Sequence, residues 1–99
     1  MHMQRQKPGT VHLTITGIVQ GVGYREAMRA VALAVGVTGW VRNRADRGVE
    51  AVVHGAQEDV EAVVAWCHGG PPNARVESVR TRQVENSEVF NAFATRPTV

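Results

Sequence analysis

Across one short glycine-punctuated segment, the apolar residues of this chain change their spacing from every second position to every third or fourth. In residues 10–16, Val11, Leu13 and Ile15 alternate with Thr10, His12, Thr14 and Thr16, the pattern of a strand with one buried face. Gly17, Gly21 and Gly23 interrupt that pattern, and over residues 24–35 Tyr24, Ala27, Met28, Val31, Ala32 and Val35 recur at helical spacing. Gly36 stands where a left-handed C-terminal cap is expected. The glycine loop therefore joins a strand end directly to a helix N-terminus.

Residues 37–44 read as a second strand, and Asp46-Arg47-Gly48 supplies turn residues before a third, residues 49–54, in which Val49, Ala51 and Val53 alternate. These two strands are expected to form an antiparallel hairpin. After Gly55, residues 57–68 place Val60, Val63, Val64 and Cys67 on one helical face, with Glu58, Asp59 and Glu61 near the N-terminus, where the helix dipole favours acids. Gly69-Gly70-Pro71-Pro72-Asn73 breaks this helix. Residues 76–84 resume a strand pattern with charged residues interleaved, and residues 90–95 can add a short edge strand. The order β-α-β-β-α-β is that of the split βαβ, or ferredoxin-like, α+β sandwich, with two helices on one face of an antiparallel sheet. At 99 residues one domain is expected, residues 10–99, preceded by a flexible polar segment, residues 1–9.

Several function classes are disfavoured by composition. No stretch approaches the roughly 20 apolar residues a membrane helix needs, and the N-terminus lacks the apolar core of a signal peptide, so a cytoplasmic location is expected. A net charge of +2 is too small to imply a nucleic-acid partner without a clustered patch. All of the 11 basic residues except Lys7 are arginine, so lysine chemistry is nearly excluded. Cys67 is the only cysteine, which rules out an intrachain disulfide and reads as a core thiol. His2, His12, His54 and His68 stand at no recognised metal-ligand spacing. Trp40 and Trp66 read as core or shoulder residues, and Arg75, Arg80 and Arg82 as the solvated face of a strand. An RNA-binding sheet would need exposed aromatics for base stacking, but the third strand has none and the first presents His12, Thr14 and Thr16.

The chemistry concentrates in residues 17–25. Unpaired backbone N–H groups and the helix dipole attract anions at such a strand-to-helix junction. Gly21 and Gly23 can adopt positive φ and leave no side chain in the way, so the amides of Gln20, Gly21, Val22, Gly23 and Tyr24 can turn inward around a phosphate. Arg25, on the first helical turn, would add a planar fork for two phosphate oxygens. A Walker loop is excluded because no Lys-Ser/Thr follows, and a dinucleotide fingerprint because Glu26 stands where its third glycine belongs. A glycine pair in a ligand-free turn remains the competing reading of the loop by itself.

Residues 17–25 resemble the signature of the acylphosphatases. Gly39-Trp40-Val41-Arg42-Asn43, followed by Asp46-Arg47-Gly48-Val49-Glu50, resembles that family's second motif at the expected distance. The similarity continues through Gly55, Gly70-Pro71-Pro72, Val76-Glu77-Ser78-Val79 and Phe93-Ala94-Thr95-Arg96, and so covers residues 10–96. The resemblance implies a ferredoxin-like enzyme, working without metal or cofactor, that hydrolyses the carboxyl-phosphate anhydride of acyl phosphates and releases inorganic phosphate. It implies Arg25 and Asn43 as the catalytic residues, Arg25 holding the phosphate with the loop amides and Asn43 positioning the water. A monomer without nucleic-acid or membrane partners is expected. The alternative is a ferredoxin-like module that binds an acyl or carbamoyl phosphate, or RNA, without turnover. Two positions depart from the pattern: Tyr24 stands where many relatives carry phenylalanine, and Arg44 where a small hydroxyl residue often follows the asparagine. Arg44 is expected to raise the positive field at the mouth of the site.

Overall fold

The computed structural model describes residues 8–85 and 88–99. Most of the expected flexible segment, residues 1–7, lies outside them, and Pro8 and Gly9 already belong to the first strand. The elements are β1 Pro8–Ile18, α1 Tyr24–Val35, β2 Thr38–Asn43, β3 Val49–Ala56, α2 Gln57–Gly69, β4 Arg75–Gln83 and β5 Phe93–Arg96. The expected β-α-β-β-α-β order is present, with the short final strand added.

The strands form one sheet in the order β4-β1-β3-β2-β5. β1 pairs antiparallel with both β3 and β4, and β2 antiparallel with β3, whereas β5 pairs parallel with β2. The sheet is therefore mixed rather than wholly antiparallel. The cause is topological: β4 ends on the side of the sheet where β2 begins, so a chain returning from there to the far edge enters beside β2 and runs in its direction.

Gly17 does not end β1. The strand continues to Ile18, with a register shift against β4 between Thr16 and Gly17. At Gly17 φ is 125°, and a Cβ would lie 2.1 Å from the carbonyl oxygen of Arg75. The glycine thus marks a bulge where the β4 backbone approaches too closely for any side chain.

Both helices cover one face. Tyr24, Met28 and Ala32 of α1 and Val60, Val63 and Cys67 of α2 are buried in a single cluster with Leu13, Ile15, Val41, Val49, Ala51, Val53 and Phe93 from the sheet. These are the residues at strand and helix spacing, so the sequence pattern becomes the core directly. Burial pushes the Cys67 thiol up to about 11, as befits a core sulfur. The other sheet face is polar. Trp40 lies there yet is only 7% exposed, because the guanidinium carbons of Arg42 and Arg96 stand 4.6 and 4.9 Å from its ring centroid. Arg75, Arg80 and Arg82 are exposed along β4, as a solvated strand face requires.

Candidate active site

The register brings the two suspected segments to one end of the sheet. Ile15 of β1 and Asn43 of β2 both pair with Val49 of β3, so they occupy one row across the sheet. β1 then runs on to Ile18 and enters the glycine loop, residues 19–23. The loop and the end of β2 are therefore neighbours, although 18 positions separate Arg25 from Asn43 in the sequence.

The loop is held from below and shaped by its glycines. Val19 is 1% exposed and roots the loop in the core. Gly21 and Gly23 have φ of 74° and 79°, with nothing within 4 Å of where a Cβ would stand. Backbone conformation rather than crowding requires glycine at these two positions. Gly23 is the N-cap of α1 and no side chain caps this helix, so the first-turn N–H groups keep their hydrogen-bonding capacity for a ligand. Arg25 is the second residue of α1 and half-buried. No ion pair among the described residues engages it, which leaves its guanidinium able to receive a phosphate.

Tyr24 contributes differently from its neighbours. Its ring is 1% exposed and its hydroxyl donates to the carbonyl of Cys67 at 2.7 Å. Burial, together with the nearby Cys67, raises this phenol far above its ordinary value. Only the backbone of Tyr24 can take part in an anion cradle.

Asn43 ends β2 on the helix-covered side of the sheet, where it alternates with the fully buried Val41. Its Oδ1 is buried and has no hydrogen-bond partner among the described residues. A buried amide oxygen left unmatched costs about 1–3 kcal/mol, so such an atom points to a missing partner. The Asn43 backbone is fixed on both sides: its carbonyl accepts from the Val99 N–H at 3.2 Å, and the Ala45 N–H donates to the Val99 carbonyl at 2.7 Å.

Gln20 was expected in the phosphate cradle through its backbone amide, and its side chain is engaged outside the loop. Its Nε2 donates to the carbonyls of Arg44 and Gly48, both at 2.8 Å. The only contribution left for Gln20 in the cradle is its backbone amide. The guanidinium of Arg44 is engaged as well. Its Nε donates to Asp46 Oδ2 at 3.0 Å, and the Gly48 amide and the Arg44 guanidinium together hold the Asp46 carboxyl below its ordinary range. Arg44 is thus ion-paired with Asp46 beside the turn.

Sequence reasoning missed a polar cluster on the open sheet face. Glu50 accepts from His12 Nε2 at 2.7 Å and from Arg42 Nε at 2.8 Å, with Arg44 3.9 Å away. Positions 12, 42 and 50 fall on one face, but only the strand register puts them side by side. Among the described residues no group of three His, Cys, Asp or Glu side chains is placed to hold a metal ion. A groove of about 700 Å³ opens at the opposite end of the sheet between α2 and the start of β1, and contains none of the loop or β2 residues.

Known proteins share this fold. The sequence profile of the Acylphosphatase family matches residues 11–95. An acylphosphatase of Thiobacillus denitrificans is 57% identical over 87 residues, which cover 88% of this chain and 96% of that protein. An acylphosphatase of Pyrobaculum islandicum is 48% identical over 89 residues, covering 89% and 94% respectively. Among solved structures, an acylphosphatase from Coxiella burnetii superposes with a TM-score of 0.87 at 32% identity, covering 95% of this chain and all of that one. With a profile spanning nearly the whole fold and relatives matched along their full length, the chain belongs to the acylphosphatase family, enzymes that hydrolyse acyl phosphates.

Proposed function

We propose that the glycine loop and the end of β2 form the catalytic site for acyl phosphate hydrolysis. In this reading the amides of Gln20, Gly21, Val22, Gly23 and Tyr24 and the guanidinium of Arg25 hold the phosphate, and Asn43 holds the attacking water. The observation that carries it is the buried, unpartnered Oδ1 of Asn43 at the loop end of the sheet. An amide oxygen can accept a hydrogen bond from water and turn the water's lone pair toward phosphorus, without itself changing charge.

The reaction forms a bond from the water oxygen to phosphorus and breaks the bond from phosphorus to the acyl oxygen. The electron pair of the broken bond leaves with the carboxylate. Carboxylic acids have pKa values near 4, by analogy with about 4.3 for glutamate, so this group departs without a proton. The water's proton can pass to a phosphoryl oxygen, and the products are a carboxylate and inorganic phosphate. Tyr24 is unsuited to general-acid work, since its phenol is engaged by Cys67 and held strongly neutral. The burden falls on charge stabilisation by Arg25 and the loop amides. The lone buried thiol suits a reducing, cytoplasmic setting, and the enzyme is read as a metal-independent monomer.

Hydrolysis of an aromatic acyl phosphate in the presence of EDTA tests this reading. Arg25→Ala should lose both phosphate binding and turnover, whereas Asn43→Ala should lose turnover by about 10²-fold or more while still binding inorganic phosphate. Full activity in either folded variant, or restoration of turnover only by added metal, would remove the proposal.

A further inference from the structure

We infer that Gln20 is a positioning residue, whose side-chain amide sets the distance between the phosphate loop and the water-holding Asn43. The inference rests on the site just proposed and adds a component that acts through the backbone rather than on the substrate. Gln20 lies between Val19 and Gly21, within the loop. Both N–H bonds of its side chain are used, one to the Arg44 carbonyl and one to the Gly48 carbonyl, each at 2.8 Å.

The two acceptors are not arbitrary points on the neighbouring turn. Arg44 directly follows Asn43, and its own N–H donates to the Gly48 carbonyl at 2.9 Å, closing the β2–β3 connection. The Arg44 carbonyl also accepts from the Arg47 N–H at 3.1 Å, at the one non-glycine residue with positive φ among the described residues, 76°. The Gly48 N–H in turn is taken by Asp46 Oδ1 at 3.0 Å. The turn is thus stiffened internally, and the Gln20 amide fastens it to the loop at both of its ends. No other side chain hydrogen bond among the described residues links the loop to this turn.

The need for such a link follows from the division of labour. Phosphorus is located by the loop, and the water by a strand that the loop does not touch through the chain. An error of about 1 Å between reacting groups can cost about 10²-fold in rate even when binding is unaffected. A side chain with two donors and no charge suits this role, because it satisfies two carbonyls without adding a charge beside the dianion.

Three variants measured together separate this role from a purely structural one. Gln20→Met keeps the shape and removes the donors. Its kcat should fall at least about tenfold, with KM and the inhibition constant for inorganic phosphate within about threefold of the parent. Gln20→Glu sets a carboxylate against two carbonyls and should be equally slow at neutral pH. When protonated it regains one O–H donor, so its kcat relative to the parent should climb as the pH falls, a trend absent from Gln20→Met. Asn43→Ala is the control for the underlying site. If Asn43→Ala is inactive but Gln20→Met keeps kcat within about twofold, the positioning role is wrong and the site stands. If Asn43→Ala turns over normally, the site itself is wrong. Loss of phosphate affinity in Gln20→Met with kcat preserved would assign the side chain to the cradle and overturn the inference.

Discussion

The hydroxyl of Tyr24 donates to the carbonyl of Cys67 at 2.7 Å, tying the first residue of α1 to the last turn of α2. Gly70 lies against the same ring, where a Cβ would come within 2.7 Å of Tyr24 Cε2. The helix end that opens onto the glycine loop is thereby braced by the second helix. Tyr24→Phe removes one hydrogen bond and leaves the ring in place, so a loss of about 1 kcal/mol is expected, or about 4–8 °C in Tm for a domain of this size. Turnover should be unchanged, since the phenol does not face the loop. Calorimetry paired with steady-state assays checks this, and a tenfold loss of kcat would instead give the hydroxyl a part in the chemistry.

Two glycines with positive φ should respond differently to alanine. At Gly17 the added Cβ would meet the Arg75 oxygen at 2.1 Å and the Glu77 nitrogen at 2.7 Å, both backbone atoms of a paired strand that cannot yield cheaply. Strain and overpacking together should cost about 2–4 kcal/mol. At Gly21 the φ of 74° is equally unsuited to alanine, but the surrounding space is empty, so about 1 kcal/mol is expected. Urea midpoints at unchanged slope measure both. Similar costs at the two sites would show that the approach of β4 is not what constrains Gly17.

That contrast explains what the sequence could and could not disclose. Helix α1 was legible to the residue, because the apolar spacing starts at Tyr24 and Gly36, with φ of 98°, stops it. Gly17 looked like a strand end because a bulge glycine and a turn glycine read alike until the partner strand is known. The parallel sense of β5 likewise depends on where β4 ends, which no local pattern records. In the site, Arg25 and the glycine pair declared themselves through their place at a helix start. The side chain of Gln20 did not, since its acceptors are two backbone carbonyls whose positions leave no trace in residue type. The ion pair of Arg44 was equally hidden, because Asp46, two positions on, read only as a turn residue and not as its counter-ion.

Glu50 provides a pH-dependent contribution to stability. It is only 9% exposed, and burial opposes its ionisation, but hydrogen bonds from His12 and Arg42 outweigh burial and hold its carboxyl below its ordinary value of 4.5. A depressed folded-state pKa stabilises the fold above the unfolded value, and that contribution is lost as the pH falls through the lower, folded-state value. Stability should therefore hold down to about pH 4.5 and decline below it. Glu50→Gln keeps the shape while removing the charge between His12 and Arg42, and should cost about 1–3 kcal/mol at pH 7. The gap between variant and parent should narrow in acid. Denaturant curves at pH 7, 5 and 3 follow it, and a gap independent of pH would acquit Glu50 of any role in acid sensitivity.

Cys67 should be silent toward thiol reagents until the fold opens. The side chain is fully buried, touches Met28 Sδ at 4.0 Å, and is held by burial at a pKa of about 11. Only the thiolate reacts, and at pH 8 a group with that pKa is ionised to about one part in a thousand, before access is considered. Labelling by an aromatic disulfide should then proceed through the opened chain. If inorganic phosphate occupies the folded loop as proposed, it lowers the open population by mass action and should slow labelling in proportion to its occupancy. Urea should accelerate labelling toward the rate of a small thiol. In Arg25→Ala the protection by phosphate should vanish while the basal labelling rate remains, which would link an inert core sulfur to occupancy of the proposed site at the N-terminus of α1. Rapid stoichiometric labelling of the native enzyme, unaffected by phosphate, would show that the sulfur is reached without opening the core.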